Sequence, residues 1–155
     1  MAVEQTLVLL KPDALQRGII GKIIARVEKR GLQIIGMKMI QLNENICKEH
    51  YAHLVGKPFY PKLVQFMTSA PVIAIVVEGV EAVRIVRDMC GPTNAREAPA
   101  GTIRGDFSLS TQCNVIHASD SLETAGKEIA RFFSEKELYK WTRELDKLTC
   151  AEDEK

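Results

Sequence analysis

Residues 72–77 read Val-Ile-Ala-Ile-Val-Val, the most apolar run in the chain. A run this short and this apolar is a buried strand, and its place is the centre of a sheet. The rest of the chain has to supply its neighbours. Residues 6–11 (Thr-Leu-Val-Leu-Leu-Lys) form a second short apolar run closed by Pro12, which predicts a first strand ending at a lysine. Ile19, Ile20, Ile23, Ile24 and Val27 recur at helical spacing among Lys22, Arg26, Lys29 and Arg30, and Gly31 is placed to end that helix in a left-handed conformation. Residues 32–42 read as a second strand in which Gly36 invites a bulge or a close backbone approach.

The remaining segments complete a pattern. Asn43 is placed to cap a helix over residues 43–54, and a second helical stretch near 62–67 makes a helical hairpin inserted between strands. Residues 81–90 repeat apolar positions at helical spacing until Gly91 stops them, and 91–111 read as a long ordered loop or an exposed excursion. Residues 114–117 (Asn-Val-Ile-His) are a last short strand, and Asp120 with Glu123 predicts a capping box for a helix over 122–133. Residues 134–148 read as a polar helix carrying Leu138, Trp141, Leu145 and Leu148, with 152–155 frayed. Without the hairpin, the order is βαββαβ. That is an α+β, ferredoxin-like arrangement: a four-stranded antiparallel sheet with helices on one face, plus the hairpin insert and a C-terminal extension over about 134–155.

At 155 residues, 46% apolar and 26% charged, the chain has enough material for one core without covalent staples, so residues 1–155 are expected to form a single domain. Twenty-one basic against twenty acidic residues leave a formal charge of +1. No global positive field exists to hold nucleic acid or an anionic membrane, so an anion has to be captured by a local site. Cys47, Cys90, Cys113 and Cys150 are irregularly spaced, without a metal-ligand rhythm, and read as reduced thiols. The start, Met-Ala-Val-Glu-Gln-Thr, lacks the pattern of a signal peptide, and no stretch is long and apolar enough for a membrane span. The expected location is cytoplasmic.

Neither a P-loop nor a Gly-x-Gly-x-x-Gly turn after the first strand is present. His50 and His53 sit three apart on the hairpin and read as solvated helix residues rather than metal ligands. His117 is different: it closes an apolar strand and feeds a polar turn, Ala118-Ser119-Asp120-Ser121, at a helix N-terminus where phosphate can be held. Lys11, Arg87 and Arg104 are the fixed positive charges that a phosphate-handling cleft would need.

The run Asn114-Val115-Ile116-His117-Ala118-Ser119-Asp120-Ser121 closely resembles the active-site signature of the nucleoside diphosphate kinases. The likeness extends to Leu10-Lys11-Pro12-Asp13, His50-Tyr51, Lys57-Pro58-Phe59, Gly91-Pro92-Thr93-Asn94 and Gly101-Thr102-Ile103-Arg104-Gly105-Asp106, in the right order over about residues 6–133. What the resemblance implies is a ping-pong enzyme. His117 takes the γ-phosphate of a nucleoside triphosphate, usually ATP, as phosphohistidine and passes it to a nucleoside diphosphate; imidazole is largely unprotonated at neutral pH and suits the task. By the same resemblance Glu128 orients the ring, and Ser119 bonds to the phosphate or to Glu128. Lys11, Arg87, Thr93 and Arg104 face the phosphates, and Tyr51 lies beside them. Asn114 and Lys11 contact the ribose, and Phe59 stacks on the base. Stacking accepts every base, so broad specificity is implied. Mg²⁺ bridges phosphate oxygens without a protein cage, and the chain is a homo-oligomer, a hexamer in preference to a tetramer.

Ala118, Ala95, Ala100 and Thr111 depart from the pattern usual in that family, and the C-terminal extension departs most. Two other readings stand beside the enzyme. Gly18-Ile19-Ile20-Gly21 mimics the Gly-x-x-Gly loop of a nucleic-acid-binding KH domain, against which stands the near-zero charge. A catalytically dead relative is the other, against which stands the intact set Lys11, Tyr51, Arg87, Thr93, Arg104, Asn114 and His117.

Overall fold

The computed structural model describes residues 3–144, 148–151 and 153. Among the described residues four strands, β1 (Val3–Leu10), β2 (Gln33–Ile40), β3 (Val72–Val80) and β4 (Ile116–Ala118), form one antiparallel sheet in the order β2-β3-β1-β4. This is the expected βαββαβ topology, with the expected apolar run at its centre: β3 pairs with β1 from Ile73 to Val80 and with β2 on the other side.

The pleat divides each central strand between two cores. Val8, Leu10, Ile73, Ile75 and Val77 face Ile23 and Val27 of α2 (Ile20–Lys29) and Val86 of α5 (Ala82–Cys90). A short α1 (Pro12–Gln16), which the sequence pattern did not reveal, joins β1 to α2. On the opposite face Leu7, Leu9, Val72, Ala74 and Val76 meet Leu63 and Met67 of α4 (Tyr60–Met67) and Ile129 and Phe132 of α7 (Leu122–Phe132). Helices therefore cover both faces, not one as expected. The reason lies in the strands: with apolar side chains on both sides of the pleat, either face left bare would forgo about 1.5–3 kcal/mol for each large side chain. The hairpin of α3 (Glu44–His50) and α4 and the helix after β4 supply the second layer. No helix among the described residues is long and apolar enough to cross a membrane.

Several local expectations hold. Asn43 caps α3 by accepting from Ile46 N–H at 2.9 Å, and Gly31 follows α2 at φ +91°. The loop over 91–111 is ordered, with a 3-10 turn at Ala95–Glu97 and a helix α6 at Ile103–Phe107. The cap of α7 is corrected by one residue: Ser121, not Asp120, accepts from Thr124 N–H.

The C-terminal extension is not the polar helix expected over 134–148. After a 3-10 turn at Glu135–Glu137 the chain runs along the outer edge of β2, where Tyr139 N–H donates to Ile35 O at 2.8 Å and Gln33 Nε2 donates to Trp141 O at 2.8 Å. The pairing of β2 with β3 slips between Ile34 and Gly36, and a Cβ on Gly36 would lie 2.9 Å from Leu138 Cδ2. Unpaired backbone at a sheet edge, with a glycine to admit a close neighbour, outweighs a helical spacing that has no further surface to cover. Trp141 and Leu148 stay more than half exposed. Leu145 and residues 152, 154 and 155 lie outside the described residues.

Candidate active site

β1 leads directly into Lys11, and β4 lies beside it with His117 opposite Leu9. The ladder continues one step past the strands, because Lys11 N–H donates to Val115 O at 2.9 Å. Two adjacent strands of the sheet thus deliver a lysine and a histidine to one end of a cleft of about 820 Å³. The hairpin, the loop after α6 and the outer face of α7 wall it in.

At the floor of the cleft, His117 turns Nε2 to both oxygens of the Glu128 carboxylate, at 3.1 and 3.0 Å. Ser119 Oγ donates to Glu128 Oε2 at 2.6 Å and accepts from Leu7 N–H, so the carboxylate is fixed from β1 through β4. Burial works against the Glu128 charge, but the hydrogen bond and charge of His117, with the bond from Ser119, hold its pKa below the usual carboxylate value. An ionised carboxylate that accepts from Nε2–H fixes the tautomer in which Nδ1 keeps its lone pair. The ring is partly open to the cleft, with 22% of its side chain exposed.

The cations gather around it by different routes. Lys11 is buried, donates Nζ to Asn114 Oδ1 at 2.6 Å, and has its pKa lowered to about 8 by burial first and by the Arg104 charge second. Asn114 is wholly buried and uses Nδ2 to hold Thr93 O at 2.9 Å and Thr111 O at 2.8 Å, which ties its own loop to the one after α5. Arg104 is buried, with Nη1 on Gly91 O and Nη2 on Ile116 O, both at 2.7 Å; burial lowers its pKa. Arg87 projects from α5 with Nη1 3.5 Å from Ala118 O. Phe59, half exposed, stands at the mouth at the start of α4, and Gln112 Nε2 donates to Lys62 O at 3.2 Å across the same rim. The residues expected to form a site, Lys11, Tyr51, Phe59, Arg87, Thr93, Arg104, Asn114, His117 and Glu128, all line this one cleft, with Ser119 directly beneath Glu128.

His50 is the correction. Read as solvated, it is buried, with its ring 4.6 Å from that of His117, 4.6 Å from Tyr51 and 5.2 Å from Phe132. Its Nδ1 lies 3.7 Å from Glu128 Oε1 and 3.3 Å from Arg131 Nη1. Spacing carried the signal: Cys47, His50 and Tyr51 stand at i, i+3 and i+4, the inward face of α3. Burial, and then the His117 charge, lower the His50 pKa to about 3. The native state therefore takes up its proton far later than the unfolded chain, whose histidines titrate near 6.5, so His50 costs stability progressively as pH falls below about 6.5. His50→Gln is expected to flatten the pH dependence of unfolding free energy between pH 6 and 4 by about 1.4 kcal/mol per pH unit, read from urea melts. Parallel curves for the two proteins would show that His50 is protonated in the fold.

His50, His117 and Glu128 bring ligand atoms within 4.8 Å of one another. Two imidazoles and a carboxylate already bonded to His117 and Ser119 suit a nitrogen-seeking transition metal better than Mg²⁺, which prefers an all-oxygen shell. In the Gly-x-x-Gly segment both glycines are exposed, but Gly18 lies in the turn between α1 and α2, Ile19 is buried, and Gly21 lies inside α2.

Known proteins resemble this chain over most of its length. The family model for nucleoside diphosphate kinase matches residues 4–138. A nucleoside diphosphate kinase of Rhodopirellula baltica is 49% identical over 152 residues, 98% of this chain and 100% of the relative. One from Pyrococcus horikoshii is 49% identical over 146 residues, 92% of this chain and 93% of its own. Among solved structures, the halophilic nucleoside diphosphate kinase of Halobacterium salinarum in complex with CDP superposes with a TM-score of 0.94 at 43% identity, over 96% of this chain and 99% of that one.

Proposed function

The chain belongs to the nucleoside diphosphate kinase family, and from that premise we propose that it moves the terminal phosphoryl group of a nucleoside triphosphate to a nucleoside diphosphate through a phosphohistidine on His117. The observation that carries this reading is the Glu128 carboxylate on Nε2, which leaves Nδ1 as the nucleophile among three cations. In the first half-reaction Nδ1 attacks the γ-phosphorus, the bond to the β-phosphate oxygen breaks, and the diphosphate leaves. The positive charge that develops on the ring is balanced by Glu128, which Ser119 keeps aligned. In the second half-reaction a β-phosphate oxygen of the acceptor attacks the same phosphorus, the P–Nδ1 bond breaks with its electron pair returning to the ring, and the imidazole regains its starting tautomer. Donor and acceptor use the cleft in turn, so ping-pong kinetics follow.

Lys11, Arg87 and Arg104 neutralise the phosphates, with Thr93 beside them and the Tyr51 hydroxyl, buried without a hydrogen-bond partner among the described residues, turned toward the same cleft. Asn114 acts chiefly on Lys11, since both its amide protons are engaged; its contact with a sugar is limited to Oδ1. Phe59 at the open mouth offers a π-face to any base, which supports broad specificity. Mg²⁺, held mainly by the nucleotide's own phosphates, would supply charge neutralisation when bound. The same reading takes residues 1–155 as one cytoplasmic domain that assembles with itself, a hexamer ahead of a tetramer. The exposed Met37 and Met39 on edge strand β2 support self-association.

The test is incubation of the pure protein with γ-labelled ATP and Mg²⁺ without acceptor. A label stable to alkali, labile to acid and discharged by GDP or dCDP is the expected result. Bound nucleotide without label would defeat the reading.

A further inference from the structure

Val115, two residues before His117, has φ +62°, and it is a buried, β-branched residue. Ile116 N–H donates back to Asn114 O at 2.8 Å, so residues 114–116 form a γ-turn with a left-handed centre. That form is rare and strained, and a β-branched residue is poorly suited to it. Such a conformation persists only where its surroundings over-determine it. Here two bonds do so. Val115 O accepts from Lys11 N–H at 2.9 Å, and Val115 N–H donates to Asp13 Oδ2 at 3.1 Å. The turn joins three groups of the site: Asn114 on one side, His117 on the other, and Lys11 through both its main-chain bond to Val115 and its side-chain bond to Asn114. If the turn relaxed toward negative φ, the distance between the Lys11 ammonium and the His117 ring would change. A shift of about 1 Å in such a spacing costs on the order of 10²-fold in rate.

We propose that Asp13 is a positioning residue whose carboxylate holds the strained turn at Val115 and so fixes the spacing of Lys11, Asn114 and His117 for phosphoryl transfer. The proposal rests on the function given above. Asp13 acts through main chain, and its bond to Val115 is one that an asparagine oxygen can also accept.

The experiment is a cycle of Asp13→Ala, Val115→Gly and the double variant, with Asp13→Asn alongside. The readouts are the rate of His117 labelling from γ-labelled ATP, and kcat and KM. Glycine adopts positive φ at no steric cost, so in the Val115→Gly background the turn no longer needs a clamp. Asp13→Ala is expected to slow labelling by roughly 10- to 100-fold through kcat with little change in KM, and Val115→Gly alone by no more than about threefold. The double variant should recover about tenfold of the Asp13→Ala loss, and Asp13→Asn should stay within a few-fold of the parent. An equal loss from Asp13→Ala in both backgrounds would overturn the proposal, as would a loss from Asp13→Asn as large as that from Asp13→Ala. If Asp13→Ala does not fold, Asp13→Ser, whose shorter side chain falls short of Val115 N–H, takes its place in the cycle. Absence of label in the parent protein would refute the phosphohistidine itself, a result separable from additivity in the cycle.

Discussion

Replacing His117 with glutamine is expected to reduce nucleotide exchange by roughly 10⁴-fold or more, because under the proposed mechanism the variant lacks the nitrogen that takes up the phosphoryl group. Glutamine is the informative substitution. Its amide can still donate to Glu128, whose buried carboxylate would otherwise be left without a partner on that side at a cost of about 1–3 kcal/mol. Lys11, Arg87 and Arg104 are untouched, so nucleotide affinity should stay near that of the parent while labelling from γ-labelled ATP disappears. Three measurements separate the outcomes: steady-state exchange, equilibrium binding of a nucleoside diphosphate, and the thermal midpoint. Exchange within tenfold of the parent would mean that another group carries the phosphoryl. Loss of binding together with activity would mean that the ring supports the cleft more than it reacts in it.

What could be read from the sequence follows from the range of the interactions concerned. The run Val72-Ile-Ala-Ile-Val-Val could only be a central strand, and the sequence puts Lys11 and His117 at strand ends; in the structure Lys11 follows β1 while His117 is the middle residue of the short β4, and the pairing of these two strands brings them together. The signals that failed were those decided by partners distant in sequence. The spacing of Leu138 and Trp141 is helical, yet the free edge of β2 and the missing Cβ of Gly36 draw that segment into an extended course. His50 looked solvated because only the packing of α3 against α7 and β4 shows how its ring meets His117 and Phe132. Asp13 was part of a matched motif without a role, since its partner Val115 lies far along the chain and the turn's positive φ has no signature in a valine. Helices on both faces could have been read from the alternation in β1 and β3, where neither side of the pleat is polar.

Lys11→Met should lower kcat/KM by about 10²- to 10³-fold, the usual effect of removing one preorganised charge from a transition state. The direction of its pH dependence is fixed by burial. The Lys11 pKa is about 8 in the free protein, against an ordinary 10.5, because burial disfavours the ammonium and Arg104 repels it. A phosphate needs the ammonium, so kcat/KM of the parent should fall as pH rises through about 8, and the methionine variant should lack that limb. Bound nucleotide raises the pKa again, so the corresponding limb in kcat should lie at higher pH. The sign for stability is the reverse. Below about pH 8 the native state carries the full penalty of burying a charge that the unfolded chain holds in water, and the penalty fades between 8 and 10.5, so stability rises with pH in that window. The penalty at neutral pH is roughly 3 kcal/mol. Methionine removes it but strips Asn114 Oδ1 of its donor, which returns part of the gain. Lys11→Met is therefore expected to unfold at the same temperature as the parent or a few degrees higher while nearly inactive, the relation of a group kept for function against the interest of the fold. A variant both inactive and markedly less stable would show instead that the Lys11–Asn114 bond holds the cleft together, and a parent without an alkaline limb would show that Lys11 stays protonated throughout.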